Sequence, residues 1–92
     1  MVENSMTPRV IDAKYLYGFI LELKFNDGKV KRVDLEKHLE GEIFEPLKDV
    51  DYFKTVKVYP EHDTIYWDNT ADFAPEFLYE IGEDVEAITK VV

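Results

Sequence analysis

Apolar and polar positions alternate strictly between residues 19 and 25. Phe19, Leu21, Leu23 and Phe25 share one parity, while Ile20, Glu22 and Lys24 share the other. A period of two marks a strand with one strongly apolar face. Asn26-Asp27-Gly28 follows, and Gly28 accepts the positive φ of a tight turn without a Cβ clash. The pattern therefore predicts a hairpin whose second arm runs from Lys29 to Leu35. Upstream, Val10, Ile11, Ala13, Tyr15 and Leu16 predict a first strand over 9–16.

Beyond the hairpin the spacing loosens. Asp34 is placed to cap a short helix from Leu35 to Leu39, which Gly41 would end. Ile43, Phe44, Leu47, Val50 and Phe53 punctuate an irregular stretch around Pro46, read as a helical turn plus loop with Phe44, Leu47 and Phe53 in the core. β-branched Thr55, Val56 and Val58 predict a strand from Lys54 to Tyr59. Pro60-Glu61-His62-Asp63 would turn into a further strand, Thr64 to Asp68. After a loop, Pro75 suits a first helical turn, where its missing N–H is harmless. A helix from Pro75 to Ile81 is expected, capped by Asp72 and stopped by Gly82. Val85, Ile88 and Val91 fit a last strand or a helical turn equally well. The result is an α+β fold: an antiparallel sheet of about five strands with one or two short helices on one face. Residues 1–8 read as a disordered leader, and 9–92 as one domain.

Composition narrows the function classes. Ninety-two residues suffice for one modest core. The apolar fraction of 46% excludes whole-chain disorder. No apolar run is long enough for a membrane span, and the polar start of the chain offers no signal peptide. With no cysteine there is no disulfide framework and no thiolate chemistry, and a cytoplasmic home is the simplest expectation.

The net charge of −9 is uneven. Residues 1–60 are close to balanced, whereas residues 61–86 hold nine carboxylates and no Lys or Arg. Such a segment repels phosphate backbones, so direct nucleic-acid binding is not expected. It would attract a basic protein partner, or simply act as a solvated face that keeps the chain soluble.

The string Ile65 to Tyr79 carries a resemblance. With Phe25, Asp27 and Gly28, then Val33, Asp34 and Leu35, it matches an F-x-D-G hairpin followed by V-D-L. Trp67, Asn69, Ala71, Asp72, Pro75, Glu76, Leu78 and Tyr79 match a closing W-x-N-x-A-D-x-x-P-E-x-L-Y. The chain thus resembles a family of short bacterial proteins filed as a domain of unknown function. The resemblance implies an α+β fold and no assigned catalytic residues. Some family members are fused to helix-turn-helix domains, and others are encoded in pairs that look like toxin–antitoxin modules.

Within this motif, Tyr66, Trp67, Asn69, Asp72, Glu76, Tyr79 and Glu80 form the candidate binding patch, with aromatic anchors ringed by polar groups. The same residue types also serve a plain strand–turn–helix junction, with Asn69 bonding the turn and Asp72 and Glu76 at the helix start. Asp68, Asp72 and Glu76 lack the pattern of a calcium loop, and no histidine joins them, so no metal is expected. His62 lies in a polar turn and His38 on a short charged segment, both read as surface residues. The only serine, Ser5, sits in the leader, which excludes a Ser or Cys triad. No Gly-rich phosphate loop exists and no cofactor is expected. The sequence therefore points to a non-enzymatic interaction or regulatory module, antitoxin-like by resemblance. A small-ligand sensor is the alternative, and an uncharacterised enzyme the third.

Overall fold

The computed structural model describes residues 7–59, 61 and 63–85. Residues 1–6, Pro60, His62 and 86–92 lie outside the described residues, and with them most of the expected leader, the histidine of the second turn and the ambiguous end of the chain.

Three strands follow one another, β1 (Val10–Tyr17), β2 (Ile20–Phe25) and β3 (Val30–Asp34). The predicted hairpin is present. Gly28 takes φ 89°, Lys29 N–H is held by Asp27 Oδ1 at 2.9 Å, and Phe25 N–H bonds the Lys29 carbonyl. Ile20 faces Asp34, Leu21 faces Val33 and Glu22 faces Arg32, an antiparallel register without slips. A short strand, Glu83–Asp84, pairs antiparallel with β3 and closes a four-stranded sheet.

Between β3 and this last strand lie two 3-10 segments, Glu36–His38 and Glu42–Lys48. They are followed by α1 (Val50–Phe53), a ribbon of β4 (Lys57–Tyr59) and β5 (Thr64–Tyr66), and α2 (Pro75–Ile81). The closing strand Glu83–Asp84 is β6. Asp34 does turn the chain, its Oδ1 accepting the Glu36 N–H at 3.1 Å, but the helix it starts is one 3-10 turn. Lys54 and Thr55 belong to the turn that ends α1, so β4 begins three residues later than the β-branched run suggested. The antiparallel α+β class holds, with the strands shared between the four-stranded sheet and the two-stranded ribbon.

The pleat decides the core. Leu21, Leu23 and Phe25 are fully buried, and register puts Ala13, Tyr15 and Val33 on the same face. Leu35, Leu39, Leu47, Phe53, Ile65, Trp67, Phe73 and Leu78 complete one cluster. Helix α2 crosses this face close to β3: a Cβ on Gly82 would lie 2.9 Å from Lys31 Cβ and 3.1 Å from Val33 Cγ2. Only a glycine allows the chain to leave α2 and join β6 so close to the sheet.

The opposite sheet face carries charge in alternating sign. Lys14, Glu22, Arg32 and Glu83 stand in one row across the four strands. Opposite charges at facing positions favour this register over any slipped one.

Candidate functional site

The candidate patch begins where β5 ends. Trp67 N–H bonds the Ala71 carbonyl, and Thr70 N–H bonds the Trp67 carbonyl, so residues 67–71 form a tight loop with Thr70 at φ 72°. Asn69 secures it from both ends: its Oδ1 accepts the Ala71 N–H at 3.1 Å and its Nδ2 donates to the Ile43 carbonyl at 2.9 Å. These bonds tie the loop to the second 3-10 segment. Tyr66 and Asp72 form an isolated antiparallel bridge below it.

Trp67 does not face solvent. It has no exposed surface, its Nε1–H donates to the Phe53 carbonyl at 2.7 Å, and its ring tilts against that of Phe53 at 5.6 Å. An aromatic anchor for a partner therefore cannot be this residue. The indole was drawn into the core because burial there removes a large apolar area from water while its one polar atom keeps a hydrogen bond.

Asp72 is exposed and is not the helix cap. The N-cap of α2 is Ala74, at φ −63° and ψ 135°, with no side-chain bond, and Pro75 opens the helix. Backbone bridging to Tyr66 holds Asp72 two residues too early to reach the first free N–H groups. Glu76 and Glu80 are exposed on α2 one turn apart. Asp72, Glu76 and Glu80 make no side-chain hydrogen bond or ion pair among the described residues. Asp68 differs, since Lys57 Nζ lies 2.7 Å from its Oδ1.

Tyr79 belongs to a different neighbourhood from Trp67. Its hydroxyl donates to Asp27 Oδ2 at 2.6 Å and its ring meets Phe25 edge-on at 5.0 Å. The hairpin turn and the end of the closing motif, far apart in sequence, thus meet in space. The hydrogen bond from Tyr79 holds the Asp27 carboxyl below its ordinary range, helped by the Lys29 N–H. The same bond pushes the Tyr79 phenol above its usual value, with burial adding to it. Lys31 Nζ sits 4.2 Å above the Tyr79 ring and 3.5 Å from Asp84 Oδ1. Its side chain is only 11% exposed, so the cation is kept by a ring face and a carboxylate in place of water.

Among the described residues no three His, Cys, Asp or Glu side chains are grouped as metal ligands would be. Two surface grooves, about 450 and 460 Å³, are lined by other residues than the candidate patch. Among the described residues the exposed large apolar side chains are Ile11, Tyr17 and Ile43, none of which the motif contains. Sequence reasoning passed over Tyr17, whose signal was only its place at the last position of a strand, beside a Gly turn.

No helix among the described residues is long and apolar enough to cross a membrane. No curated protein and no solved structure matches the chain. Residues 10–84 do match one family, covering every strand and helix described above. On that match, the chain belongs to the family described as protein of unknown function (DUF2442).

Proposed function

We propose that this domain is a non-enzymatic, cytoplasmic protein-interaction module with a regulatory, antitoxin-like role, which engages a basic protein through the outer face of α2. The observation that supports it most is the exposed series Asp72, Glu76 and Glu80, which has no cationic partner among the described residues. Glu76 and Glu80 are one helical turn apart, a like-charge spacing that destabilises an isolated helix by about 0.2–0.5 kcal/mol. A partner cation would convert that repulsion into attraction. The surrounding charge would also steer encounter, which raises association rates more than affinity.

The test is capture of partners from the native cell with wild-type bait and with an Asp72→Lys, Glu76→Lys, Glu80→Lys bait. A basic protein should be retained by the first and lost from the second, with an association rate that falls as salt shortens the Debye length toward ~8 Å. Failure to recover any basic protein, or a complex indifferent to salt and charge reversal, overturns the reading. The reversed bait should still fold, because Asp72 caps nothing and a lysine in place of Glu76 in the first turn of α2 costs only about 0.3–1 kcal/mol.

A further inference from the structure

Of Tyr66, Trp67 and Tyr79, the aromatic residues expected to anchor a partner beside the acidic stripe, Trp67 is inside and Tyr79 is turned to Asp27 and Phe25. Tyr17 is 64% exposed, the largest fraction among the exposed large apolar side chains of the described residues. It stands at the rim of a groove of about 460 Å³ whose other walls include Ile20, Asp34, Ile81 and Glu83. Ile81 is the last residue of α2, so the groove adjoins the C-terminal end of that helix.

The polar groups of the groove favour one kind of guest. Asp34 uses Oδ1 on the Glu36 N–H and has no second side-chain partner among the described residues, where Glu83 makes no side-chain bond or ion pair at all. Arg32 also lines the groove, but its Nε already lies 3.5 Å from Glu22 Oε1. His38 is turned edge-on to Phe77 at 5.0 Å. The groove's own lining thus holds two carboxylates, Asp34 and Glu83, against one guanidinium that Glu22 already engages, so a cation is favoured over an anion. Isoleucine side chains on two walls suit an aliphatic stem, and an exposed phenol ring suits a flat cation stacked upon it.

We infer that this groove receives an arginine side chain of the basic partner, its guanidinium stacked on Tyr17 and bonded to the free carboxylates of Asp34 and Glu83. This rests on the proposal above. Arginine is favoured over lysine because its planar, weakly hydrated head can stack and bond two carboxylates at once. The arginine would supply an anchor in addition to the charge of the acidic stripe.

The probe is acetyl-arginine-amide, titrated into the full 92-residue chain by amide NMR, beside the lysine and the neutral citrulline analogues. Arginine should shift the amides of Tyr17, Ile20, Asp34 and Ile81, lysine should shift them less, and citrulline should leave them in place. Tyr17→Ala should weaken arginine binding about fivefold, while Tyr17→Phe keeps it. Asp34→Asn with Glu83→Gln should remove most of the binding and its salt dependence. The side-chain carbonyl introduced by Asp34→Asn can still hold the Glu36 N–H, so the turn is kept. No shift in the groove, citrulline binding equal to arginine, or indifference to Tyr17→Ala overturns the inference. The two readings separate. A basic partner bound equally well by Tyr17→Ala sinks the groove alone, whereas groove binding of arginine without any acidic-face partner sinks the earlier proposal alone.

Discussion

Trp67 and Tyr79 show how one motif is divided between core and surface. Trp67 is the only tryptophan, and its indole both fills the core and satisfies the buried Phe53 carbonyl. Trp67→Phe should cost about 2 kcal/mol, from a partly filled void and the loss of one of the two hydrogen bonds to the Phe53 carbonyl, which keeps the Val56 N–H at 3.3 Å. Urea denaturation measures this directly, and an unchanged midpoint would contradict the buried placement. Tyr79 acts through Asp27. Because the folded state holds the Asp27 carboxyl below its ordinary 3.8, this contact stabilises above that pH and is lost as pH falls through the lowered value. The Tyr79 phenol is pushed above its ordinary 10.0, so its contribution is present below that pH and lost as pH climbs through the raised value. Tyr79→Phe should therefore flatten the stability profile at both ends, read by melting temperature from acid to alkaline pH. An unaltered acid limb would show that the bond is not maintained in solution.

At the scale of elements, α2 is short and begins poorly. Its first free N–H groups receive no side-chain bond, since Ala74 occupies the cap. Ala74→Ser should raise stability by about 1 kcal/mol, because the backbone there already has the extended geometry a capping side chain needs. Asp72→Ala should change it by no more than about 0.5 kcal/mol, as for other surface positions. The paired melts discriminate: a large loss at Asp72 and none gained at Ala74 would restore Asp72 as the cap. What holds α2 in place is tertiary. Leu78 is buried, Tyr79 reaches the hairpin turn, and Gly82 passes within contact of Lys31 and Val33. A seven-residue helix would not persist alone.

Across the whole molecule, charge is the dominant long-range feature. A net −9 on 92 residues repels itself more strongly in the compact state than in the open chain. Screening should relieve this, so the melting temperature should rise as sodium chloride is raised from low ionic strength past the physiological range. A fall instead would mean that the attractive pairs, such as Lys57–Asp68 and Lys31–Asp84, outweigh the repulsion. The charge row Lys14, Glu22, Arg32 and Glu83 lies on the sheet face opposite the core and is internally balanced. The unbalanced charge is therefore concentrated elsewhere, in the chain from Glu61 onward that includes α2.

Local physics was enough for the hairpin, the Asp34 turn and the helix that opens at Pro75. Alternation, the Asp-Gly turn and the fixed φ of proline act within a few residues and leave little choice. The division of strands into a four-stranded sheet and a separate ribbon depended on distant packing. Burial of both Thr64 and Ile65, with Thr64 Oγ1 bonded to the Phe73 carbonyl at 2.6 Å, takes β5 away from the sheet. The candidate patch was legible as a set of residue types but not as a surface. An exposed and a buried tryptophan look alike in sequence, and only the Phe53 carbonyl at the right distance made burial the better state for Trp67. Tyr79 meeting Asp27 across 52 residues was likewise decided by the fold, because no local rule links a helix to a turn so far upstream.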